Sequence, residues 1–426
     1  MNDTNIAQAM STRRTFLGGA AVAAVGSLLG GGVLSACGVG GVGGSGSDTI
    51  SVGSLQDQTG GLEIYGDQQF EATKLAIDDI NAAGGLLGKK LSLNSKNTQS
   101  DDSLYAQYAR TLLQQDHAKA VVGALASSSR EAMRPVFDQN NGILFYPALY
   151  EGGVCDRNVF LTGPSASQQI KPLIEYALQN LGKTFYIVAP NYNYGTISTT
   201  WYKKYVTEGG GQVLGAELLP LSTSNFATTI SHIQAKNPEV VVALPVGSSQ
   251  TGFFAQFANA GLKDRIAVIS TNYGSGNQQV AISPEAGNGI IVCLEYVPNL
   301  DNPYNKKFME LWAKKFKGAD RIIDEAVNTW TAWHLWAEAV KKAGSTDTDA
   351  VIKALQSGIQ FNSPGGPVTL DGATHHLIRP MYIAKGNKDH GFDVIKTIPN
   401  VKPTYEETVC NLIKNPDVKK QFTPNG

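Results

Sequence analysis

From Ile50 to Tyr296 the chain alternates short apolar runs with longer amphipathic stretches, and no other feature narrows its fold as far. Ile50–Leu55, Leu91–Lys96, Val121–Leu125 and Ile143–Tyr146 read as strands. Tyr65–Ala83, Ser103–Gln115 and a segment starting near Arg130 read as helices. Along the first helix Phe70, Ile77 and Ile80 share a face, and Gly84-Gly85 ends it. Such a repeat calls for an α/β fold, a parallel sheet with helices on both faces.

Ala120–Gly153 shows where the chemistry of such a unit gathers. Its first strand runs into Ser127, Ser128 and Ser129, which can cap the following helix, with Glu131 in the first turn. Asn140, Asn141 and Gly142 stop that helix, and the next strand ends at Pro147. Hydroxyls from the serine turn and the rings of Tyr146 and Tyr150 thus reach one edge of the sheet. In open α/β sheets ligands sit at that edge.

The pattern restarts at Ser165-Ala166-Ser167-Gln168-Gln169, which caps a helix through Leu181. Strands at Thr184–Ala189, Val213–Glu217, Val240–Leu244, Ile266–Ser270 and Ile290–Tyr296 alternate with helices at Ser198–Glu208, Thr228–Ala235 and Gln250–Ala260. Two α/β units of similar size therefore meet near Gly163-Pro164. After Pro298 the chain reads as helical, at Asn305–Phe316, Asp324–Ala343 and Thr348–Gln356. Trp330, Trp333 and Trp336 share a helix face and read as a packing stripe. Met381–Ala384 is a last strand.

The 426 residues suit two domains, three at most. A formal net charge of −1 argues against a nucleic-acid partner, which would need a basic face. Residues 1–37 read as a leader. Ser11-Thr12-Arg13-Arg14-Thr15-Phe16-Leu17 has the twin-arginine arrangement of an export signal, followed by an apolar run to Leu34. Glycines loosen that run and paired arginines precede it, which favours an export signal over a spanning helix. Leu34-Ser35-Ala36-Cys37 resembles a bacterial lipoprotein box, which implies cleavage before Cys37 and a lipid on its thiol. Residues 38–48 then form a flexible tether. The tether contains a G-x-G-x-x-G match, but no strand precedes it and no helix follows, so it is no dinucleotide site. Cys155, Cys293 and Cys410 can form one disulfide and leave one thiol, in a pairing that spacing does not specify.

Tyr65-Gly66-Asp67-Gln68-Gln69-Phe70 and Asp79-Ile80-Asn81-Ala82-Ala83-Gly84-Gly85 are similar to the first helix and turn of branched-chain amino-acid binders. Four further groups of residues resemble the urea and short-chain amide branch more closely. They are Phe145-Tyr146-Pro147 with Tyr150-Glu151-Gly152, Asn158-Val159-Phe160 with Thr162-Gly163, Leu219-Pro220-Leu221, and Val368-Thr369-Leu370-Asp371 with His375-His376-Leu377. Tyr192 and Tyr194 are similar to the tyrosine pair of an amide sensor. Over about residues 49–400 the chain thus resembles the type I periplasmic solute-binding proteins of ABC transporters. The resemblance implies two Rossmann-like lobes with parallel sheets, joined by a three-crossover hinge. Lobe 1 would hold 49–164 plus 297–370, and lobe 2 would hold 165–296 plus 371–426. Ligand would bind between lobes that close on it. ABC permease and ATPase subunits would be the partners. The place would be the periplasm or the outer face of the cytoplasmic membrane, touched through the lipid anchor only. Two positions depart from the urea pattern: Leu125 replaces an aromatic, and Thr271–Asn277 lacks an acidic run.

On this reading the ligand is urea or a short amide, small, neutral and polar. Urea presents four N–H donors and one acceptor, and each buried group left unpaired costs about 1–3 kcal/mol. Ser127 and Ser128 can supply hydroxyls and helix-terminus N–H groups. Tyr146, Tyr150, Tyr192 and Tyr194 can flank a small planar molecule, Glu151 can accept from its N–H groups, and Asn272 and Tyr273 can close the site from lobe 2. Each also has a plain structural role: serines cap helices, tyrosines pack against hinges, and a glutamate bonds to a turn. His375-His376 reads as a turn feature rather than a metal site, and no cofactor is expected.

Three alternatives stand beside this reading. A branched-chain or other amino-acid binder would use the serine turn for the carboxylate and need an acid for the ammonium group; Glu151 is the candidate. A ligand sensor would pass its signal to a protein partner. An exported hydrolase would need a nucleophile beside a base, but the chain has no G-x-S-x-G elbow and no H-E-x-x-H, so no catalytic residue is expected.

Overall fold

The computed structural model describes residues 49–318 and 321–424. The leader expected over 1–37, the tether over 38–48 and the lipidated Cys37 lie outside the described residues.

The first half of the fold runs β1 (Thr49–Gln56), α1 (Glu63–Ala82), β2 (Lys90–Asn97), α2 (Asp102–Gln114), β3 (Val121–Gly123), α3 (Ser127–Gln139), β4 (Leu144–Tyr146), β5 (Val154–Asp156) and β6 (Val159–Leu161). Five of these strands form a parallel sheet in the order β2-β1-β3-β4-β6. The next part runs α4 (Ala166–Asn180), β7 (Thr184–Pro190), α5 (Asn193–Glu208), β8 (Gln212–Leu219), α6 (Ala227–Lys236), β9 (Val240–Ala243), α7 (Ser248–Asn259), β10 (Ala267–Ser270), α8 (Pro284–Gly287) and β11 (Ile291–Leu294). Its strands form a second parallel run, β8-β7-β9-β10-β11.

The chain then returns to the first sheet with α9 (Pro303–Ala313), α10 (Asp324–Ala343) and α11 (Thr348–Leu355). It ends with β12 (Gln360–Ser363), β13 (Gly366–Leu370), β14 (Leu377–Gly386), β15 (Phe392–Val401), α12 (Glu406–Val409) and β16 (Lys419–Gln421). β14 pairs antiparallel with β11, β13 and β15, extending the second sheet.

Each sheet is covered on both faces, as the alternation requires. One core packs α1 and α10 on the first sheet, and another packs α2 and α3 on its opposite face. The second sheet has one core around Phe253, Phe254 and Phe257 of α7 and another around α4, Trp201 and Tyr202. Trp330, Trp333 and Trp336 are buried in the first core, so the stripe is packing. Burying one large apolar side chain stabilises by about 1.5–3 kcal/mol, so this stripe anchors α10 to the first lobe. Ser165 and Gln168 form the expected capping box on α4. Among the described residues no helix is long and apolar enough to cross a membrane.

Two expectations need correction. The serines do not precede α3 but form its first turn, and Ala126 takes the cap position with no side-chain oxygen to offer. The cause lies one step earlier: Ala124 turns the chain in the left-handed region at φ 73°. That conformation costs an ordinary residue about 1–2 kcal/mol. The end of the chain also departs from the expected partition. Residues 371–426 were assigned to the second lobe, yet β16 pairs with β5 beside the first sheet, and Cys410 bonds to Cys155. β13, expected with the first lobe, pairs with β14 on one side and with β12 on the other, while its Val368 and Leu370 pack in the first core. Cys293 is the remaining thiol, buried on β11. A disulfide fits an oxidising compartment outside the cytosol.

Candidate functional site

In the first sheet the strand order reverses between β1 and β3, and in the second between β7 and β9. Loops leaving such switch points part to either side and leave a crevice at the carboxyl ends of the strands. Here the two crevices share one cavity. The first lobe lines it with Leu62, Tyr65, Leu125, Ala126, Ser127, Ala148, Leu149 and Glu325; the second lines it with Tyr192, Tyr194, Leu221, Val246 and Asn272. The cavity is small, about 40 Å³, more than the space one water needs.

The lobes touch across the cavity. The Tyr65 hydroxyl oxygen accepts from the Gly247 N–H at 3.2 Å and from Gln278 Nε2 at 2.7 Å. Ser275 Oγ donates to Asp324 Oδ2 at 3.0 Å. The structure is therefore that of a closed cleft.

Ser127 is the centre of the first-lobe wall. Its Oγ donates to Glu151 Oε2 at 2.5 Å, so toward the cavity the hydroxyl can only accept. Glu151 is wholly buried. Its Oε1 accepts from Arg130 Nη2 at 2.7 Å and from Gln421 Nε2 at 2.5 Å. Burial alone would raise its carboxyl, but the Arg130 charge with the Ser127 and Gln421 hydrogen bonds holds it below its usual range. The Arg130 guanidinium also sits over the rings of Tyr146 and Tyr150, 5.0 and 4.8 Å from their centroids. Because Ala126 gives no cap, the first backbone N–H groups of α3 are free of side-chain acceptors at the cavity wall.

Of the nine residues expected in the site, Ser127, Tyr192, Tyr194 and Asn272 line the cavity. The other five stand outside it, each for a visible reason. Ser128 Oγ turns to Asp102 Oδ1 at 3.2 Å. The Tyr146 hydroxyl donates to the Leu125 carbonyl. The Tyr150 hydroxyl bonds to His376 Nε2. Glu151 is a second layer behind Ser127. Tyr273 packs in the second-lobe core against Phe254 and Phe392, at 4.9 and 5.8 Å between ring centroids. Asn272 lines the cavity but spends its amide within its own lobe, on Ser270 Oγ and the Pro245 carbonyl, each at 2.9 Å. Tyr194 keeps its hydroxyl 3.4 Å from Thr271 Oγ1, and its ring lies 5.9 Å from that of Tyr192. His375 stacks on Phe160 at 4.2 Å, and burial lowers its pKa to about 3, so it is neutral. His376 Nδ1 faces the Thr374 carbonyl at 2.7 Å and must carry the proton, so Nε2 accepts from Tyr150.

Among the wall residues that sequence reasoning missed, Glu325 is the acid. It lies in the first turn of α10, where an acid reads as a partner for the helix dipole. In the fold it lines the cavity, buried, with Oε2 lacking any hydrogen-bond partner. Burial, then the neighbouring Asp324 and Glu295, pushes its carboxyl well above the usual range. Three carboxylates and one guanidinium, Arg379, are buried together here. Arg379 reaches the cluster through Asn328, which donates to Glu295 Oε1 at 2.6 Å.

Known proteins share this fold. A sequence profile described as periplasmic binding protein matches residues 49–391. The leucine-, isoleucine-, valine-, threonine- and alanine-binding protein of Pseudomonas aeruginosa is 25% identical over 336 residues, covering 76% of this chain and 86% of its own. Leu/Ile/Val-binding protein homolog 6 of Brucella melitensis is 22% identical over 289 residues, covering 67% and 74%. A solute binding protein of an ABC transporter from Rhodopseudomonas palustris BisB5, solved in complex with 3,4-dihydroxybenzoic acid, superposes with a TM-score of 0.76 at 25% identity. That match covers 84% of this chain and 99% of the other. A leucine binding protein from Thermotoga maritima gives a TM-score of 0.72 at 19% identity, over 82% and 99%. The chain belongs to the periplasmic binding protein family. It is a substrate-binding protein of an ABC transporter, with the type I two-lobed fold, and not an enzyme.

Proposed function

We propose that the cleft takes an α-amino acid with an apolar side chain and hands it to the permease of an ABC transporter. The observation that carries this reading is Glu325, a cavity-wall carboxyl group whose buried Oε2 has no hydrogen-bond partner; burial raises its pKa, and a bound ammonium would lower it again and pair with the carboxylate. A ligand ammonium would meet that oxygen and the accepting face of Ser127 Oγ. The first N–H groups of α3, at a helix N-terminus, suit the ligand carboxylate. Seven of the thirteen lining residues are aliphatic, which suits an apolar side chain. The same walls disfavour the urea or amide expected from sequence, because too few acceptors remain for four N–H groups and each unpaired group costs about 1–3 kcal/mol. Relatives named for leucine, isoleucine and valine support this choice.

A second reading is an aromatic acid. Tyr192 and Tyr194 offer ring faces, the Rhodopseudomonas palustris protein was solved with a dihydroxybenzoic acid, and a protonated Glu325 could donate to a phenol oxygen. Isothermal titration with L-leucine, 4-hydroxybenzoate, urea and acetamide separates these. We expect micromolar or tighter binding of leucine, abolished by Glu325→Gln. Binding of 4-hydroxybenzoate alone selects the second reading, and binding of urea or acetamide alone overturns both.

We place the lobes at 49–164 plus 297–370 and at 165–296 plus 371–409, with the tail from Cys410 seated on the first. Residues 1–37 serve as a twin-arginine lipoprotein leader and 38–48 as a tether. Peptide mapping of the exported chain tests this; an unmodified Cys37 would contradict it.

A further inference from the structure

The Tyr150-Glu151-Gly152-Gly153 stretch has a structural partner that the cleft alone does not explain: the end of the chain. β16 pairs with β5, and the Phe422 N–H donates to the Gly153 carbonyl at 2.8 Å. Gly153 is at φ 82°, and a Cβ there would lie 1.8 Å from the Phe422 carbonyl oxygen, so only glycine lets the tail seat. Gln421 Nε2 then reaches both the Gly152 carbonyl, at 3.1 Å, and Glu151 Oε1, at 2.5 Å. Glu406, four residues before the tail, accepts from the Gly153 N–H at 3.0 Å and from Ser165 and Ser167 hydroxyls. The tail and the residues just before it thus hold the Glu151-Gly152-Gly153 loop from two sides.

We propose that the C-terminal strand is a working part of the ligand site: Gln421 orients Glu151, Glu151 orients Ser127, and the Cys155–Cys410 disulfide keeps the strand in place. This rests on the reading that Ser127 meets the ligand. The logic is one of polarity. Glu151 has two donors on Oε1 and the Ser127 hydroxyl on Oε2. Remove Gln421 and the carboxylate is free to swing toward Arg130. The Ser127 hydroxyl then loses its fixed acceptor and no longer presents a lone pair to the cleft. The strand cannot hold itself: a two-stranded ribbon of three-residue strands is marginal in water. The disulfide, which links positions 255 apart in sequence, supplies the missing constraint. Gln421 is a positioning residue and does not line the cavity.

The test compares the unmodified protein with Ser127→Ala, Gln421→Leu and Gln421→Glu. The titrant is whichever of L-leucine and 4-hydroxybenzoate the unmodified protein binds. Gln421→Leu is expected to raise Kd about 5- to 10-fold, the scale of one lost hydrogen bond to a charged group. Gln421→Glu sets two carboxyls at hydrogen-bond distance, where they share one proton. Its Kd is expected to stay near that of the unmodified protein at pH 5 and to rise with pH, a change that mere loosening of the tail would not produce. An unchanged Kd in Gln421→Leu, with Ser127→Ala weakened, overturns this inference and leaves the cleft reading standing. An unchanged Kd in Ser127→Ala overturns both. If Gln421→Leu does not fold, a Kd for Gln421→Glu that matches the unmodified protein at pH 5 and pH 8 overturns it.

Discussion

Arg130 and Glu151 form an ion pair in which neither side chain is exposed, with 2.7 Å between Nη2 and Oε1. Removing one charge should therefore cost far more than removing both. Glu151→Gln leaves the guanidinium with Glu131 as its remaining carboxylate, 3.0 Å away and one-third exposed. Arginine cannot shed its proton, so the loss falls in the range of broken buried pairs, about 3–5 kcal/mol. Unfolding entropy of about 2.1 cal/mol/K per residue, over a body of roughly 370 residues, makes this a fall in Tm of about 4–6 °C. Arg130→Met behaves differently, because Glu151 keeps its Ser127 and Gln421 donors and can take up a proton. In the unmodified protein the Glu151 carboxyl sits below its unfolded value of 4.5, so its contribution is present above that pH and lost as pH falls below it. In Arg130→Met burial dominates and the carboxyl rises above 4.5; its contribution is then present at low pH and lost as pH rises. The gap in Tm between the two proteins should widen from pH 4 to pH 7. Thermal unfolding followed by circular dichroism gives both results. The double variant Glu151→Gln/Arg130→Met should regain most of the loss. A double variant as unstable as the sum of the single ones, or a gap independent of pH, would refute the reasoning.

Other outcomes follow from the same geometry. Tyr192→Ala removes a half-buried ring from the cavity wall and should raise the Kd for leucine about tenfold with little change in Tm, since little core packing is lost; an unchanged Kd on titration would remove Tyr192 from the site. Tyr150→Phe leaves His376 Nε2 without its donor and should lower stability by about 1–3 kcal/mol while sparing Kd. A Kd that moved as much as the stability would put Tyr150 back at the ligand. Gly153→Ala should unseat the tail, seen as faster amide exchange across β5 and β16; unaltered exchange would show that the backbone accommodates the methyl.

The helices and central strands were legible because they announce themselves locally, whereas the short strands β5, β6, β12, β13 and β16 and the polar β15 carry no such pattern and were not expected. The period of α10 and the Ser165–Gln168 box gave true helix boundaries, and the β-α alternation gave a parallel sheet. The site was harder. Tyr192, Tyr194 and Ser127 stood out because they follow strands at switch points, and polar groups there have few other uses. Tyr146 ends strand β4 and Tyr150 follows it, yet their hydroxyls turn to Leu125 and His376, partners that only the tertiary fold supplies. Glu325 looked like an ordinary helix-start acid, because its place in the cavity depends on the chain crossing back to the first lobe after β11. Leu62, Leu149 and Val246 carry no sign that separates a cavity wall from a core. The serine turn misled for a local reason: the positive φ at Ala124 starts the helix three residues early and puts the serines inside it.

The central claim is that one cavity recognises both head groups of an amino acid. Titrating the protein with L-leucine, with 4-methylpentanoate and with 3-methylbutylamine tests it most directly, since the last two keep the side chain and lack one head group each. Each lost charged contact is worth about 1.5–3 kcal/mol, so leucine should bind at least about tenfold tighter than either. If 4-methylpentanoate binds as tightly as leucine, Glu325 does not hold an ammonium group and the account is wrong.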